Sequence, residues 1–178
     1  MIGRFFKGLS FLDVSDSSML WLALFILLVV SAFFSGSETG MMSLNRYRLR
    51  HQRKKSSGAR RAAKLLATPD RLIGLILIGN NAVNILAAII ANALAIIYVG
   101  EAAAPWVATA TLTILVLVFA EVTPKTIAAQ YPEWFAFKAS HILKPLLTIF
   151  WPLVWAINKL TNGLVKLLGF DPNSSRDD

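Results

Sequence analysis

The chain has 178 residues, of which 56% are hydrophobic and only 16% charged, with a formal net charge of +8. Soluble domains average about 25% charged residues. The apolar residues here are gathered into long blocks, so the composition excludes an ordinary soluble globule and points to an all-α integral membrane protein. No cysteine is present, which removes disulfides and thiolate metal sites and leaves oxygen atoms or the two histidines for any metal.

Residues 1–18 read as a short external N-terminal segment. Arg4 and Lys7 resemble the charged start of a secretory leader, but the following apolar run leads into a Met/Leu-containing stretch rather than a small-residue cleavage site. The first span begins near Met19. Its apolar run to Phe34 is short for a bilayer that needs roughly 20 residues. Continued through Ser35-Gly36-Ser37-Glu38 to Leu44, the helix crosses comfortably and its polar interruption lies inside the membrane. Gly36 and Gly40 offer either close approach of another backbone or a local bulge.

The connection 45–71 is basic, with Arg46, Arg48, Arg50, Arg53, Lys54, Lys55, Arg60, Arg61, Lys64 and Arg71 against the single acid Asp70. The positive-inside rule places it in the cytoplasm. Cations beside membrane segments are read as a topology signal and as contact with anionic lipid, not as a nucleic-acid surface. The stretch around Ala59–Leu66 is helix-compatible, and Thr68 or Asp70 can cap the next helix.

The second span is predicted over Leu72–Val99, roughly 42 Å at 1.5 Å per residue, so it must tilt, bend or protrude. It ends at Gly100-Glu101, in a connection without Lys or Arg. The third span starts around Ala104-Pro105, with Pro105 suited to a first helical turn, and returns to the cytoplasm near Val122. These three spans and their connection make a transmembrane domain over 19–132, with the amino terminus outside and the carboxy terminus cytoplasmic. Residues 133–170 carry interfacial aromatics and leucines at helical spacing. They read as a juxtamembrane belt of broken amphipathic helices, with a re-entrant pair as the alternative. Residues 171–178 are polar and read as a linker to a cytosolic region.

Each span carries polar residues that hydrocarbon disfavours: a central charge costs roughly 2.5–3.5 kcal/mol on insertion scales. Ser31, Ser35 and Glu38 follow one another at i, i+4 and i+7 and share a stripe. Asn80 and Asn84 share a face, with Asn81 beside them. Glu121 and Lys125 are four apart, with Pro124 between them removing a backbone donor to the carbonyl of Ala120. That carbonyl must find a partner or line a cavity. Ser31, Ser35, Glu38, Asn80, Asn84 and Glu121 can therefore converge toward the cytoplasmic side, while Ser37 and Asn81 serve the backbone or neighbouring helices. Lys125 reads as an interfacial cation or a partner for Glu121 or Glu38. Hydroxyl, amide and carboxylate oxygens suit hard cations. The competing reading is a membrane-anchored structural or regulatory module in which the same groups only join helices. Neither His51 nor His141 lies in a catalytic constellation, so no enzyme is expected.

The motifs Ser35-Gly36-Ser37-Glu38-Thr39, Gly79-Asn80-Asn81-Ala82-Val83-Asn84 and Phe119-Ala120-Glu121-Val122-Thr123-Pro124-Lys125 occur in this order on three spans. Together they resemble the transmembrane domain of the CorB/CorC and cyclin M (CNNM) magnesium transporters. The resemblance implies a homodimer in a prokaryotic plasma (inner) membrane, with an inward-facing cavity for a largely dehydrated Mg2+. It makes Ser31, Ser35, Asn80, Asn84 and Glu121 the ligand candidates, with Ser37, Glu38, Asn81, Pro124 and Lys125 in support. It implies Mg2+ transport, preferably efflux, with Na+ as a possible coupling ion. ATP would act only through a CBS-domain pair that these residues do not include.

Overall fold

The structure, a computed structural model, describes residues 14–168, and all of its described elements are helices. In chain order they are α1 (Val14–Met42), α2 (Arg46–Gln52), α3 (Ser57–Leu66), α4 (Pro69–Val99) and α5 (Ala104–Leu115). A π-helical segment (Val116–Val122), α6 (Thr123–Gln130), α7 (Pro132–Ile149) and α8 (Trp151–Leu167) follow. Residues 1–13 of the N-terminal segment, the end of the belt and the linker 171–178 lie outside the described residues.

Three helices are long and apolar enough to cross a bilayer: Ser17–Met42 with 26 residues, Pro69–Val99 with 31 and Ala104–Gln130 with 27. The chain is thus an all-α membrane protein with three transmembrane helices. The second span, roughly 46 Å at 1.5 Å per residue, exceeds an apolar thickness of about 30 Å, as its sequence requires. The third span extends past Val122, where the sequence predicts its end, because the helix runs through Pro124 to Gln130. A π segment immediately before the proline makes this possible. The N–H of Thr123 donates to the carbonyl of Val118, a wide i→i−5 turn, and Thr126 returns its hydroxyl to the carbonyl of Val122 at 2.8 Å. The absent proline donor thus falls beside a stretch that has already left α-helical register.

Contacts divide the described residues into two compact units. The first comprises the residues up to Gly36 together with Gly79–Ile127; the second comprises Ser37–Ile78 and the residues from Ala128 onward.

In the first unit, α1 and α4 run antiparallel. Trp21 donates its indole N–H to the Tyr98 hydroxyl at 3.2 Å, while Ser31 meets residues 80 and 84 further along. Leu24, Ala87, Ala91, Leu94, Ala95, Ala104 and Ala108 form the buried cluster. Five of these are alanine, and small side chains let helix backbones approach where apolar burial between helices gains little over lipid. Gly100, at φ 79°, ends α4 in the left-handed conformation that glycine adopts without a steric penalty. The turn then closes as Ala104 N–H donates to Gly100 O at 3.1 Å.

The second unit is built by different physics. Its short helices are polar and capped: Asn45 Oδ1 accepts from Arg48 N–H at 3.1 Å and Ser56 Oγ from Ala59 N–H at 3.4 Å. These are the side chains that satisfy otherwise orphan donors at a helix start. The α3 helix keeps Arg60 and Lys64 exposed and buries Ala59, Ala62, Leu65 and Leu66. The α7 helix lies against it. A Cβ on Gly58 would stand 2.8 Å from Phe137 Cβ and 3.3 Å from its carbonyl oxygen, and Ser140 Oγ donates to Phe137 O at 2.7 Å. Gly40 realises the close approach read from the sequence, with Ala136 N and the Phe135 and Ala128 Cβ atoms at 3.4–3.6 Å from where its Cβ would stand. The bulge offered as the other reading of Gly36 and Gly40 does not form, since α1 is α-helical throughout. Arg48 pairs with Glu133 at 3.0 Å, with the arginine side chain 70% exposed; such a pair contributes at most about 1 kcal/mol.

The belt is a pair of helices, α7 and α8, bent by 78° at Phe150. The break precedes Pro152, which occupies the first turn of α8, where a missing donor costs nothing.

Gly58→Ala is expected to lower stability by about 1–3 kcal/mol, because the clash is with a Cβ and backbone that cannot swing aside. Gly163→Ala, where nothing lies within 4 Å, should raise it by about 0.5–1 kcal/mol through helix propensity. Thermal unfolding of the two variants in one detergent checks both signs.

Candidate cation site

Ser31, Asn80 and Asn84 come together in the first unit. Ser31 Oγ lies 2.9 Å from Asn80 Oδ1 and 2.8 Å from Asn84 Oδ1. Ser31 is fully buried and both asparagines are half-buried. One hydroxyl carries one hydrogen. It therefore satisfies one amide oxygen at a time, and three oxygens share a single proton. Turning one amide over would supply another donor; as placed, both present oxygen. An oxygen cluster short of hydrogen, beside hydrocarbon, is what a bound cation would complete.

Ser35, one turn along from Ser31, is also buried, and its Oγ has no hydrogen-bond partner. A hydroxyl in a helix commonly donates to a carbonyl of the preceding turn, so an unsatisfied one costs about 1–3 kcal/mol and calls for an explanation. Asn81 is exposed and stands outside the three-residue cluster, in keeping with its spacing.

The cluster has a steric support that spacing did not reveal. A Cβ on Gly79 would fall on the ring of Phe34, contacting Cζ, Cε1 and Cε2. Phe34 is itself 7% exposed, so the ring fills the space above the glycine. This fixes α1 against α4 between Ser31 and Ser35 on one helix and beside Asn80 on the other. The signal available in the sequence was a glycine directly before the asparagine pair.

Glu121 is half-buried in the π segment of the same unit. Among the described residues it makes no hydrogen bond or ion pair, and none joins it to Ser31, Asn80 or Asn84. The Glu121–Lys125 partnership read from four-residue spacing is not formed. The π segment is the physical reason, because wider turns remove the i, i+4 alignment that an α-helix gives. Pro124 is buried and Lys125 half-buried. Ser37 and Glu38 fall in the second unit, where Ser37 is fully buried and Glu38 half-buried. Among the described residues no three His, Cys, Asp or Glu side chains gather. The grouped donors are hydroxyl and amide, the set expected from a sequence whose spans carry serine and asparagine.

Three long apolar helices, two of which hold an oxygen cluster between them, define an all-α membrane protein with a polar site inside its apolar spans. The particular family follows from comparison: residues 22–178 match the cyclin M transmembrane N-terminal domain, and the chain belongs to that family. It is 54% identical over 141 residues to the UPF0053 inner membrane protein YfjD of Escherichia coli, covering 79% of this chain and 33% of that protein. A UPF0053 protein of Haemophilus influenzae is 48% identical over 159 residues, covering 89% of this chain and 38% of its own length. The polyamine export protein of Salmonella typhimurium is 29% identical over 168 residues, covering 87% and 37%. The chain thus spans little more than a third of the length of these relatives.

Ser35→Ala should leave thermal stability unchanged or raise it, since it deletes a buried hydroxyl without a partner. Ser31→Ala should lower it by about 1 kcal/mol or more, because two amide oxygens lose their shared donor. Melting curves in metal-free buffer distinguish the two.

Proposed function

We propose that the chain moves Mg2+ across the membrane, preferably outward, from a site formed by Ser31, Ser35, Asn80, Asn84 and Glu121. The observation that carries the proposal is the oxygen cluster itself: two amide oxygens within 2.9 Å of one buried hydroxyl, with a second buried hydroxyl one turn away lacking any partner. Mg2+ prefers near-octahedral oxygen ligation and gives up its water reluctantly. Preplaced neutral oxygens would substitute for part of that shell. A single carboxylate would compensate a divalent charge only partly, which favours release as well as binding. On this reading Glu121 supplies charge rather than a hydrogen bond to the cluster, and the π segment with Pro124 sets its direction. Lys125 tunes the field nearby.

The proposal places the basic connection 45–71 on the cytoplasmic side of a prokaryotic inner membrane, with the amino terminus outside. It takes the working unit as a homodimer and treats Na+ as a possible counter-ion. ATP would act through the cytosolic region that the longer relatives' lengths allow for. A second reading is export of an organic polycation, favoured by the relative named a polyamine export protein. Ammonium groups could donate to the same amide oxygens and to Glu121.

Reconstituted in liposomes, the wild-type protein is expected to carry Mg2+ saturably. Asn80→Ala and Glu121→Ala are expected to abolish that flux while eluting as the same folded dimer. Wild-type flux in both variants would sink the ligand assignment. Saturable putrescine flux without Mg2+ flux would transfer the site to the second reading.

A further inference from the structure

The second unit contains a feature unrelated to the oxygen cluster. Between the first turn of α4 and the polar face of α8 lies a cleft of about 650 Å3. Its walls carry three cations, Arg71, Lys159 and Lys166, against one acid, Asp70. Two of the cations are held in place by aromatic rings. The Arg71 guanidinium sits 4.0 Å from the centre of the Trp151 ring, and Lys159 Nζ sits 5.0 Å from that of Trp155. A guanidinium stacked on a ring keeps its N–H groups pointing sideways in its own plane, where they can grip phosphate oxygens bidentately. Asn158 and Asn162, also on the wall, add amide N–H donors.

The location decides what kind of phosphate would enter. Asp70 and Arg71 are the second and third residues of a transmembrane helix, so the cleft opens at the depth of lipid headgroups. Tryptophan and cationic side chains favour that same layer. The α8 helix continues the pattern. Leu153, Leu160, Leu164 and Leu167 are exposed on one stripe of it, while Lys159, Asn162 and Lys166 line the cleft on another. A helix of this kind lies in the interface with its leucines among acyl chains. A headgroup in the cleft and tails along the leucines would engage both stripes at once.

We propose that this cleft binds the headgroup of an anionic phospholipid, and that its net charge of +2 (Arg71, Lys159 and Lys166 against Asp70) suits a diphosphatidyl lipid best. Basic pockets at the ends of transmembrane helices are the usual seats for such headgroups. The site is separate from the recess of about 450 Å3 that Arg46, Arg50 and Arg53 line between α2 and α3, where no tryptophan backs the cations.

Gly163 makes a clean test possible. It lines the cleft, and a Cβ placed there meets nothing within 4 Å. Gly163→Leu should therefore fill the cleft without disturbing the fold, whereas Gly163→Ala adds a single methyl. The purified full chain in detergent is titrated with diphosphatidylglycerol, with phosphatidylcholine and with inorganic phosphate. Melting temperature and native mass spectrometry are the readouts. Diphosphatidylglycerol is expected to raise the wild-type melting temperature by about 5 °C at saturation and to remain bound at one molecule per chain. Gly163→Leu should abolish both effects and Gly163→Ala should keep both. Arg71→Gln with Lys166→Gln should weaken binding by about thirtyfold, taking about 1 kcal/mol per cation. Lys54→Gln with Lys55→Gln, on the exposed basic surface, should bind as wild type. Full lipid binding by Gly163→Leu overturns the proposal. So does an equal shift from phosphatidylcholine or from inorganic phosphate alone, or loss of binding in the Lys54/Lys55 variant.

Discussion

Hydrocarbon offers neither donors nor acceptors, so each polar group within a span must be satisfied by another protein group or by something the protein binds. The first unit is arranged around that constraint. Its alanines allow α1 and α4 to approach closely enough for Ser31 to reach both asparagines. Phe34 over Gly79 fixes their register. With both amide oxygens turned toward Ser31 the cluster lacks one hydrogen, and Ser35 is left with no partner. A helix pair selected only for adhesion would gain by pairing these groups fully, since each unsatisfied buried group costs about 1–3 kcal/mol. Keeping them oxygen-rich is understandable if a cation spends part of its time among them.

The third span meets the same constraint in another way. Proline within a helix removes a donor and crowds the preceding turn, costing about 3 kcal/mol or more in a regular helix. Here the backbone has already widened into π-helical turns before Pro124, and Thr126 covers the carbonyl of Val122. The segment so altered is the one carrying Glu121. Widened turns are frequent at functional sites, and in this chain the irregularity and the only acidic side chain of the third span coincide.

The second unit carries most of the chain's charge beside the ends of the spans. Its helices α2 and α3 are short and capped, and the unit packs through glycine and alanine positions such as Gly58 and Ala139. Phe150 divides α7 from α8 at a bend of 78°, and the helical period of α8 sets its leucine and lysine stripes side by side. The same stretch that reads in sequence as an interfacial belt thereby acquires a cleft beside Arg71 and Trp151.

The spans, the basic connection and the family motifs were legible in the sequence because each depends on composition or on a fixed helical period. Apolar block length measures a bilayer directly, and i, i+4 spacing puts Ser31 with Ser35 and Asn80 with Asn84 on shared faces. Two things were not legible. Spacing rules assume an unbroken α-helix, so they joined Glu121, which proves to lie in a π segment, to Lys125 in the α-helix that follows. Gly36 and Gly40 also left open a bulge, in a helix that proves continuous. Sequence by itself determined what kind of oxygen could line a site and which helices would carry it, since that chemistry belongs to the residues. Tertiary structure alone decided that one serine serves two asparagines, that Phe34 occupies the space above Gly79 and that Arg71 stacks on Trp151. Those facts depend on which faces of separate helices meet, and the period of a single helix does not encode its partner's rotation or depth.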